Sequence, residues 1–325
     1  MTTPLIETRD LTRTFTVGSG NYGPRQVLTA VSDVNLCLQE SETLGIAGES
    51  GCGKSTLARL LMGLLRPSAG EVRFKGTTLA AMSSHELSAF RQSVQIVFQD
   101  PYSSLNPRMR IGEIIGEPLL IHKLAKGNSL RERVAEIMDQ VGLSPDHTAR
   151  YPHEFSGGQR QRIGIARALA VNPQVVIADE PVSALDLSIQ AQIINLLLEL
   201  KRRHTLSFVF IAHDLSVVRH ISDRIAIMYL GKIVESGSRD AVFSAFLHPY
   251  TESLLSAVPQ INQSGRHPRV RLTGDVPSPL VRQPGCPFFS RCPHSRELCR
   301  QALPPLEEKE PGHHAACHFS RELYR

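Results

Sequence analysis

The sequence predicts an α/β protein with a small C-terminal module, and two patterns along its 325 residues support this prediction. Through residue 255, short apolar runs alternate with helix-like segments, the order that builds a parallel sheet covered by helices on both faces. From Pro259 onward the chain holds ten of its 21 Pro and four of its six Cys, with little periodicity. We therefore expect a large domain over 1–255 and a small irregular module, rich in Pro and Cys, over 256–325.

Local patterns predict the individual elements. Apolar residues alternate with polar ones over 34–38, which is typical of a half-buried strand. Most later strands are continuous apolar runs, and the longest helical stretch carries apolar residues at helical spacing before its end at Gly142. These patterns predict strands over 34–38, 44–48, 72–74, 94–98, 175–178 and 208–212, and helices over 55–65, 111–142, 156–170 and 188–203.

Composition excludes several classes of protein. The net charge is +5 and the basic residues form no block, so a nucleic-acid-binding protein is not indicated. Met1–Asp10 lacks the apolar stretch of a signal peptide, and no apolar run reaches the roughly 18–20 residues of a membrane span. We expect a cytosolic protein without structural disulfides, which acts at a membrane only by docking onto a separate membrane-embedded partner.

A phosphate-binding loop follows the strand predicted over 44–48. Residues 48–55 read G-E-S-G-C-G-K-S and match G-x-x-x-x-G-K-[ST] between a strand and a helix. Backbone N–H groups of such a loop surround the β-phosphate, Lys54 supplies a positive charge to the β- and γ-phosphates, and the Ser55 hydroxyl is a Mg²⁺ ligand. The predicted nucleotide contacts are Gly48, Glu49, Ser50, Gly51, Cys52, Gly53, Lys54, Ser55 and Thr56.

Two further motifs bear on how the nucleotide is used. Asp179 ends the apolar run 175–178, where P-loop proteins hold Mg²⁺, and Glu180 follows, where an acid can polarise the attacking water. A second glycine-rich run opens a predicted helix with a hydroxyl and exposed N–H groups suited to an anion. Because the chain already has one phosphate loop, we expect this run to serve a nucleotide held by another subunit. Its members are Ser156, Gly157, Gly158 and Gln159.

Together these motifs resemble the nucleotide-binding subunit of an ATP-binding cassette (ABC) transporter. Phe155–Gln159 matches the signature sequence of that family, with Phe at the usual Leu position. The resemblance implies a P-loop NTPase cassette: a RecA-like core, an antiparallel β-subdomain and a helical subdomain, with ATP and Mg²⁺ as cofactors. Two such domains pack head to tail in this family, and the signature helix of one closes the nucleotide site of the other.

The resemblance also implies roles for single residues, each with a more ordinary alternative. Gln99 matches the Q-loop glutamine, which could otherwise be a polar residue at a strand end, and His213 matches the switch histidine, which could be a loop residue. Phe15 is the candidate for stacking on adenine, or else a core residue. The implied catalytic residues are Glu180, His213 and Gln99, the implied Mg²⁺ ligands are Ser55, Gln99 and Asp179, and Asp186 belongs to the D-loop Ser183–Asp186.

Longer segments resemble the oligopeptide/dipeptide (peptide/nickel) importer subfamily. They are Phe98–Arg108, Ala178–Asp186, His248–Thr251 and Thr273–Pro279. This implies an ATPase that powers peptide import from the cytoplasmic face of the inner membrane, as a peripheral subunit. The implied partners are a second, homologous ATPase, two transmembrane permease subunits and an extracytoplasmic solute-binding protein, with no nucleic acid.

Other functions stay open at this point. Close relatives import nickel, glutathione or another small solute. A soluble ABC ATPase acting on nucleic acid or ribosomes would be expected to have long coiled coils or a second cassette, neither of which the sequence contains. A regulator that binds ATP without turnover is disfavoured by the intact Lys54, Asp179 and Glu180.

The cysteine-rich tail suggests a metal site. Cys286, Cys292, Cys299 and Cys317 follow the spacing C-x5-C-x6-C-x17-C, and a module with little core gains stability from a metal. Family resemblance suggests a [4Fe–4S] cluster; Zn²⁺ and plain reduced thiols are the alternatives. Nearby histidines could compete as ligands, namely His294, His313, His314 and His318. We expect Cys37 and Cys52 to be structural.

Overall fold

The computed structural model describes residues 3–18, 25–100, 102–257, 277–278, 280 and 284–324. Within those ranges the strands are β1 (Ile6–Val17), β2 (Gln26–Leu38), β3 (Thr43–Ala47), β4 (Ala69–Phe74), β5 (Thr77–Thr78), β6 (Val94–Val97), β7 (Val175–Asp179), β8 (Ser207–Ala212), β9 (Arg224–Tyr229), β10 (Lys232–Ser238), β11 (Glu307–Glu310) and β12 (His313–Ala315).

The helices of the same ranges are α1 (Lys54–Leu61), α2 (Ser84–Ser93), α3 (Ile111–Ile121), α4 (Gly127–Gln140), α5 (Gly157–Leu169), α6 (Leu187–His204), α7 (Leu215–Ile221), α8 (Arg239–Ser244), α9 (Pro249–Ser256), α10 (Glu297–Gln301) and α11 (Ser320–Leu323). No helix in the described part of the chain is both long and apolar enough to span a membrane.

The described residues fall into two compact units. One is drawn from Met1–Leu5, Leu38–Thr43 and Phe74–Ile211, and the other from Ile6–Cys37, Leu44–Arg73 and Ala212–Arg325. Each is described by itself below, as the acidic unit, which contains Asp179 and Glu180, and the loop unit, which contains the phosphate loop and the C-terminal tail.

In the acidic unit, β6, β7 and β8 form a parallel sheet in which β7 is central. Every residue of β7 and β8 is buried. That explains their continuous apolar sequences, because a parallel strand covered on both faces has no solvent side. The stretch predicted as helical over 111–142 consists of two helices, α3 and α4, because the backbone turns at Lys123 with a left-handed φ of 56°.

In the loop unit, β2, β1 and β4 are neighbours in a small sheet, and a second sheet runs in the order β11, β12, β10, β9, β3. Strand β3 pairs parallel with β9, with Ile46 opposite Ala226, and β9 and β10 pair antiparallel. The phosphate loop therefore leaves the end of β3, a strand whose five residues are all buried.

The C-terminal tail is more regular than its sequence predicts. Strand β12 pairs antiparallel with β10, with Glu235 opposite Ala315, and β11 pairs with β12. These strands have only three or four residues, and β11 reads E-E-K-E, so neither shows the apolar alternation by which a strand is recognised in sequence. The segment Thr273–Val276 and residues Pro101 and Pro279 lie outside the described residues.

Candidate nucleotide-binding site

The phosphate loop has the backbone that its motif requires. Gly53 adopts a left-handed φ of 111°, and a Cβ there would overlap the carbonyl oxygen of Ala30, so glycine is needed at this position. Helix α1 begins at Lys54 directly afterwards, with Ser55 and Thr56 in its first turn. The loop thus ends at a helix N-terminus, whose dipole and first-turn N–H groups are a favourable setting for an anion.

Lys54 folds back onto this loop. Its ammonium donates to the carbonyl oxygens of Gly48 at 2.8 Å and Glu49 at 3.0 Å, and the side chain is buried. A buried ammonium needs such acceptors, and a bound triphosphate would supply stronger ones. Cys52 is also buried, and this burial raises the pKa of its thiol, so it serves as an apolar core residue.

In the acidic unit, Glu180 contacts Gln99. The Gln99 side-chain amide donates to a Glu180 carboxylate oxygen at 3.1 Å. Asp179 is buried at the end of β7, and Glu180 follows in a left-handed conformation with φ 47°. Its backbone N–H donates to Ile211 at 2.9 Å, and its carbonyl accepts from the Ser183 hydroxyl at 3.1 Å. The strained backbone is held by neighbours on both sides, as is common for functional residues.

The residues that match the family signature sequence, Phe155–Gln159, are called the signature run here, and they cap helix α5. The Ser156 hydroxyl accepts from the Gln159 N–H at 3.3 Å, and the Gln159 side chain accepts from the Ser156 N–H at 3.0 Å, which makes a capping box. The hydroxyl proton of Ser156 remains able to bind an oxyanion. Phe155 is buried and packs edge-on against His147 at 5.8 Å, so its role is to anchor the run in the core.

Gly158 is required for packing. A Cβ there would lie 2.5 Å from Cγ2 of Ile189 on α6, whereas a Cβ at Gly157 would lie 3.4 Å from Leu185. We expect Gly158→Ala to displace the start of α5 and to lower ATP turnover by roughly tenfold, because about 1 Å of misplacement is costly to catalysis. Gly157→Ala is the matched control with a smaller effect. Equal turnover of the two variants would contradict this steric argument.

The remaining predicted residues lie at element ends. Asp186 precedes α6, and His213 follows β8. Phe15 lies in β1 and is partly exposed, with the Arg13 guanidinium 4.7 Å from its ring centre. Phe15 is therefore no core residue, and one of its faces carries a cation–π contact. The roles predicted for these residues stay predictions.

The structure also reveals contacts to the phosphate loop that the sequence did not indicate. Tyr250 on α9 accepts from the backbone N–H of Glu49 at 2.8 Å, and Arg291 forms an ion pair with the Glu49 carboxylate at 2.6 Å. Tyr250 belongs to the subfamily segment His248–Thr251, but nothing in that segment indicated a contact with the phosphate loop. Arg291 belongs to no motif, so only the fold could reveal it.

All four tail cysteines line one cavity of about 20 Å³. His294 and His318 line it as well, whereas His313 pairs with Glu235 at 2.8 Å. The donors are of the kind that iron or zinc prefers, but in the described ranges no three His, Cys, Asp or Glu side chains converge as a ready metal site. Such a cavity has room for about one water, so a four-iron cluster does not fit it as it stands.

The thiols of this cavity make stability pH-dependent in metal-free protein. Burial raises the pKa of Cys286 to about 12 and of Cys292 to about 11. Unfolded thiols titrate near pH 8.5, so the unfolded chain loses protons first and the free energy of unfolding falls as pH rises through roughly 8.5–12. Urea titrations across this range should show the fall, and Cys286→Ser should reduce it. A flat profile above pH 9 would contradict the expected shift.

Comparison with known proteins identifies the family. The family model described as "ABC transporter" matches residues 31–183, and the one described as "Oligopeptide/dipeptide transporter, C-terminal region" matches residues 234–299. Oligopeptide transport ATP-binding protein AppF of Bacillus subtilis is 48% identical over 320 residues, which cover 97% of both chains. This chain belongs to the ATP-binding subunits of oligopeptide/dipeptide ABC transporters. Dipeptide transport ATP-binding protein DppF of Escherichia coli is also 48% identical, over 94% of this chain and 91% of its own.

Solved structures confirm the fold of this ABC subunit. A dimeric ATP-binding cassette in a post-hydrolysis state with ADP and phosphate is 30% identical, with a TM-score of 0.64 over 72% of this chain and 98% of its own. The P-loop α/β fold with its antiparallel subdomain, predicted from resemblance, is thereby confirmed. The chain is an ABC transporter ATPase coupled to peptide transport.

Proposed function

We propose that this chain hydrolyses ATP to drive import of dipeptides or oligopeptides through two transmembrane permease subunits. The main support for the proposal is the match of residues 234–299 to the oligopeptide/dipeptide C-terminal region. The same chain contains a complete phosphate loop and a complete signature run. An extracytoplasmic solute-binding protein would deliver the peptide, and the ATPase would work at the cytoplasmic face of the inner membrane.

The proposed chemistry is positioning and charge stabilisation of the transferred phosphoryl group. Lys54 and the loop N–H groups bind the β- and γ-phosphates, and Phe15 stacks on adenine. Mg²⁺, held by Ser55, Gln99 and Asp179, would neutralise phosphate charge. Glu180 accepts a proton from the attacking water, and His213 contacts the γ-phosphate.

The signature run is proposed to act on a nucleotide held by a second, homologous ATPase subunit. Its capped helix N-terminus offers N–H groups and a hydroxyl proton to an anion. Gly157→Asp places a carboxylate there and should repel the phosphate. We expect loss of most of the turnover at the partner's nucleotide while this chain's own ATP binding is retained, measured by equilibrium binding to each subunit. Unchanged turnover would contradict the assignment.

The tail from residue 256 is proposed to bind a metal centre through Cys286, Cys292, Cys299 and Cys317. The support is the common cavity that these four side chains line. Binding would require the thiols to lose their protons and the cavity to rearrange around the metal. Iron content and visible absorbance after anaerobic purification would identify a [4Fe–4S] cluster, bound zinc alone would identify a zinc site, and neither would leave reduced thiols.

Transport by the reconstituted transporter tests the proposed substrate. We expect dipeptides or oligopeptides, presented with the cognate solute-binding protein, to stimulate ATP hydrolysis and to accumulate in vesicles. Lys54→Ala is the control that should abolish both. Stimulation by nickel or glutathione without stimulation by peptides would identify the alternative substrates, and co-purification with ribosomes or RNA instead of permeases would overturn the proposal.

A further inference from the structure

Glu49 follows the first glycine of the phosphate loop, and residues far along the chain hold it at two points. Its backbone N–H donates to the Tyr250 hydroxyl at 2.8 Å. Its carboxylate accepts two bonds from Arg291, from Nη1 to Oε2 at 2.6 Å and from Nη2 to Oε1 at 2.9 Å. This forked arrangement gives Arg–carboxylate pairs their strength and their fixed geometry.

Arg291 is itself held rigidly. Its side chain is only 6% exposed, and it ends the single turn Phe289–Arg291 that follows Phe288. The Phe288 ring packs against Tyr229 and Tyr250 at centroid distances of 5.3 and 5.4 Å, and all three rings are buried. The aromatic cluster therefore anchors this turn beside the phosphate loop, and little conformational freedom is left for Arg291 to lose on pairing.

The charge of Glu49 is unfavourable in a loop built to bind anions. Glu49 lies between Gly48 and Ser50 of the phosphate-binding motif, and its side chain is only 26% exposed, so water and salt would screen its repulsion of a bound phosphate only in part. The Glu49 carbonyl is also an acceptor for the Lys54 ammonium. An uncompensated carboxylate here would repel the triphosphate. It would also compete with the triphosphate for the Lys54 ammonium.

We propose that Arg291 is a positioning residue of the nucleotide site: it neutralises Glu49, which keeps this carboxylate from opposing the bound triphosphate, so ATP affinity depends on the C-terminal tail. This inference rests on the proposed function, in which the phosphate loop binds ATP. It assigns to the tail a role at the nucleotide that does not require a metal in the cysteine cavity.

Equilibrium binding of ATP to the full chain tests the inference. Arg291→Gln retains most of the side-chain volume but leaves Glu49 charged, so we expect the dissociation constant to rise about tenfold, and more at low salt than at high salt. Arg296→Gln is the matched control, because Arg296 forms a similar forked pair with Glu322 in an exposed part of the same tail. That variant should bind ATP as the wild type does.

A double variant separates charge neutralisation from damage to the tail. If Arg291 acts by neutralising Glu49, the combined Glu49→Gln and Arg291→Gln variant should recover most of the lost affinity. Wild-type affinity of Arg291→Gln, or a double variant as weak as Arg291→Gln alone, would overturn the inference. ATP binding that survives Lys54→Ala would instead remove the proposed nucleotide site itself, so the two failures are distinguishable.

Discussion

Glu180→Gln is expected to reduce the rate of ATP hydrolysis by about 10²–10⁴-fold while ATP binding is retained. The substitution removes the carboxylate that we propose accepts the proton of the attacking water. It retains the shape of the side chain, and the new amide can still accept the bond that Gln99 donates at 3.1 Å. The left-handed backbone at this position should also be preserved, since Ile211 and Ser183 hold it through main-chain atoms of residue 180.

Single-turnover hydrolysis and equilibrium ATP binding would be measured on the same preparations. Glu132→Gln, an exposed residue of α4 in the same unit, is the control and should change neither quantity. Wild-type turnover by Glu180→Gln would exclude Glu180 as the general base. Loss of ATP binding together with turnover would show a structural defect at the end of β7.

Glu235→Ala is expected to cause the largest loss of stability, about 3–5 kcal/mol. Both side chains of the Glu235–His313 pair are almost fully buried, at 0% and 3% exposure, and the carboxylate also accepts from the Leu247 N–H at 2.7 Å. Removal of the carboxylate leaves the Leu247 N–H and the imidazole without this acceptor. Because the pair joins β10 to β12, the tail should be the first part of the chain to unfold.

Urea unfolding followed by circular dichroism would measure this loss, and limited proteolysis would locate it. Glu235→Gln should cost less than Glu235→Ala, because the amide oxygen can accept from the Leu247 N–H. Arg239→Ala is the control, since Arg239 and its partner Asp240 are exposed and the urea midpoint should not move. Similar midpoints for Glu235→Ala and Arg239→Ala would show that the buried pair contributes little.

The parts of the fold that were predictable share one property, a strong local pattern. Strands β7 and β8 are unbroken apolar runs because both of their faces are buried. The buried residues of α6 recur at helical spacing. Strands β11 and β12 could not be predicted, because pairing with β10 and not local composition makes them strands. The break between α3 and α4 was missed because apolar residues continue up to it.

The candidate site also contains parts that the sequence predicts and parts that it does not. Three motifs of the site are contiguous in sequence and could be found from neighbouring residues alone: the phosphate loop, the Asp179–Glu180 pair and the signature run. The Gln99–Glu180 bond joins residues 81 positions apart and the Arg291–Glu49 pair joins residues 242 apart. No local pattern encodes such pairs.

Short motifs establish the class of this protein, an ABC ATPase with a peptide-transporter tail. The fold was needed to show that the tail extends a sheet of the loop unit, brings four cysteines to one cavity and places Arg291 against the phosphate loop. The two kinds of feature differ in the sequence separation of the residues that form them. Phosphate binding is encoded between adjacent residues, whereas burial and charge pairing depend on which distant segments the fold brings together.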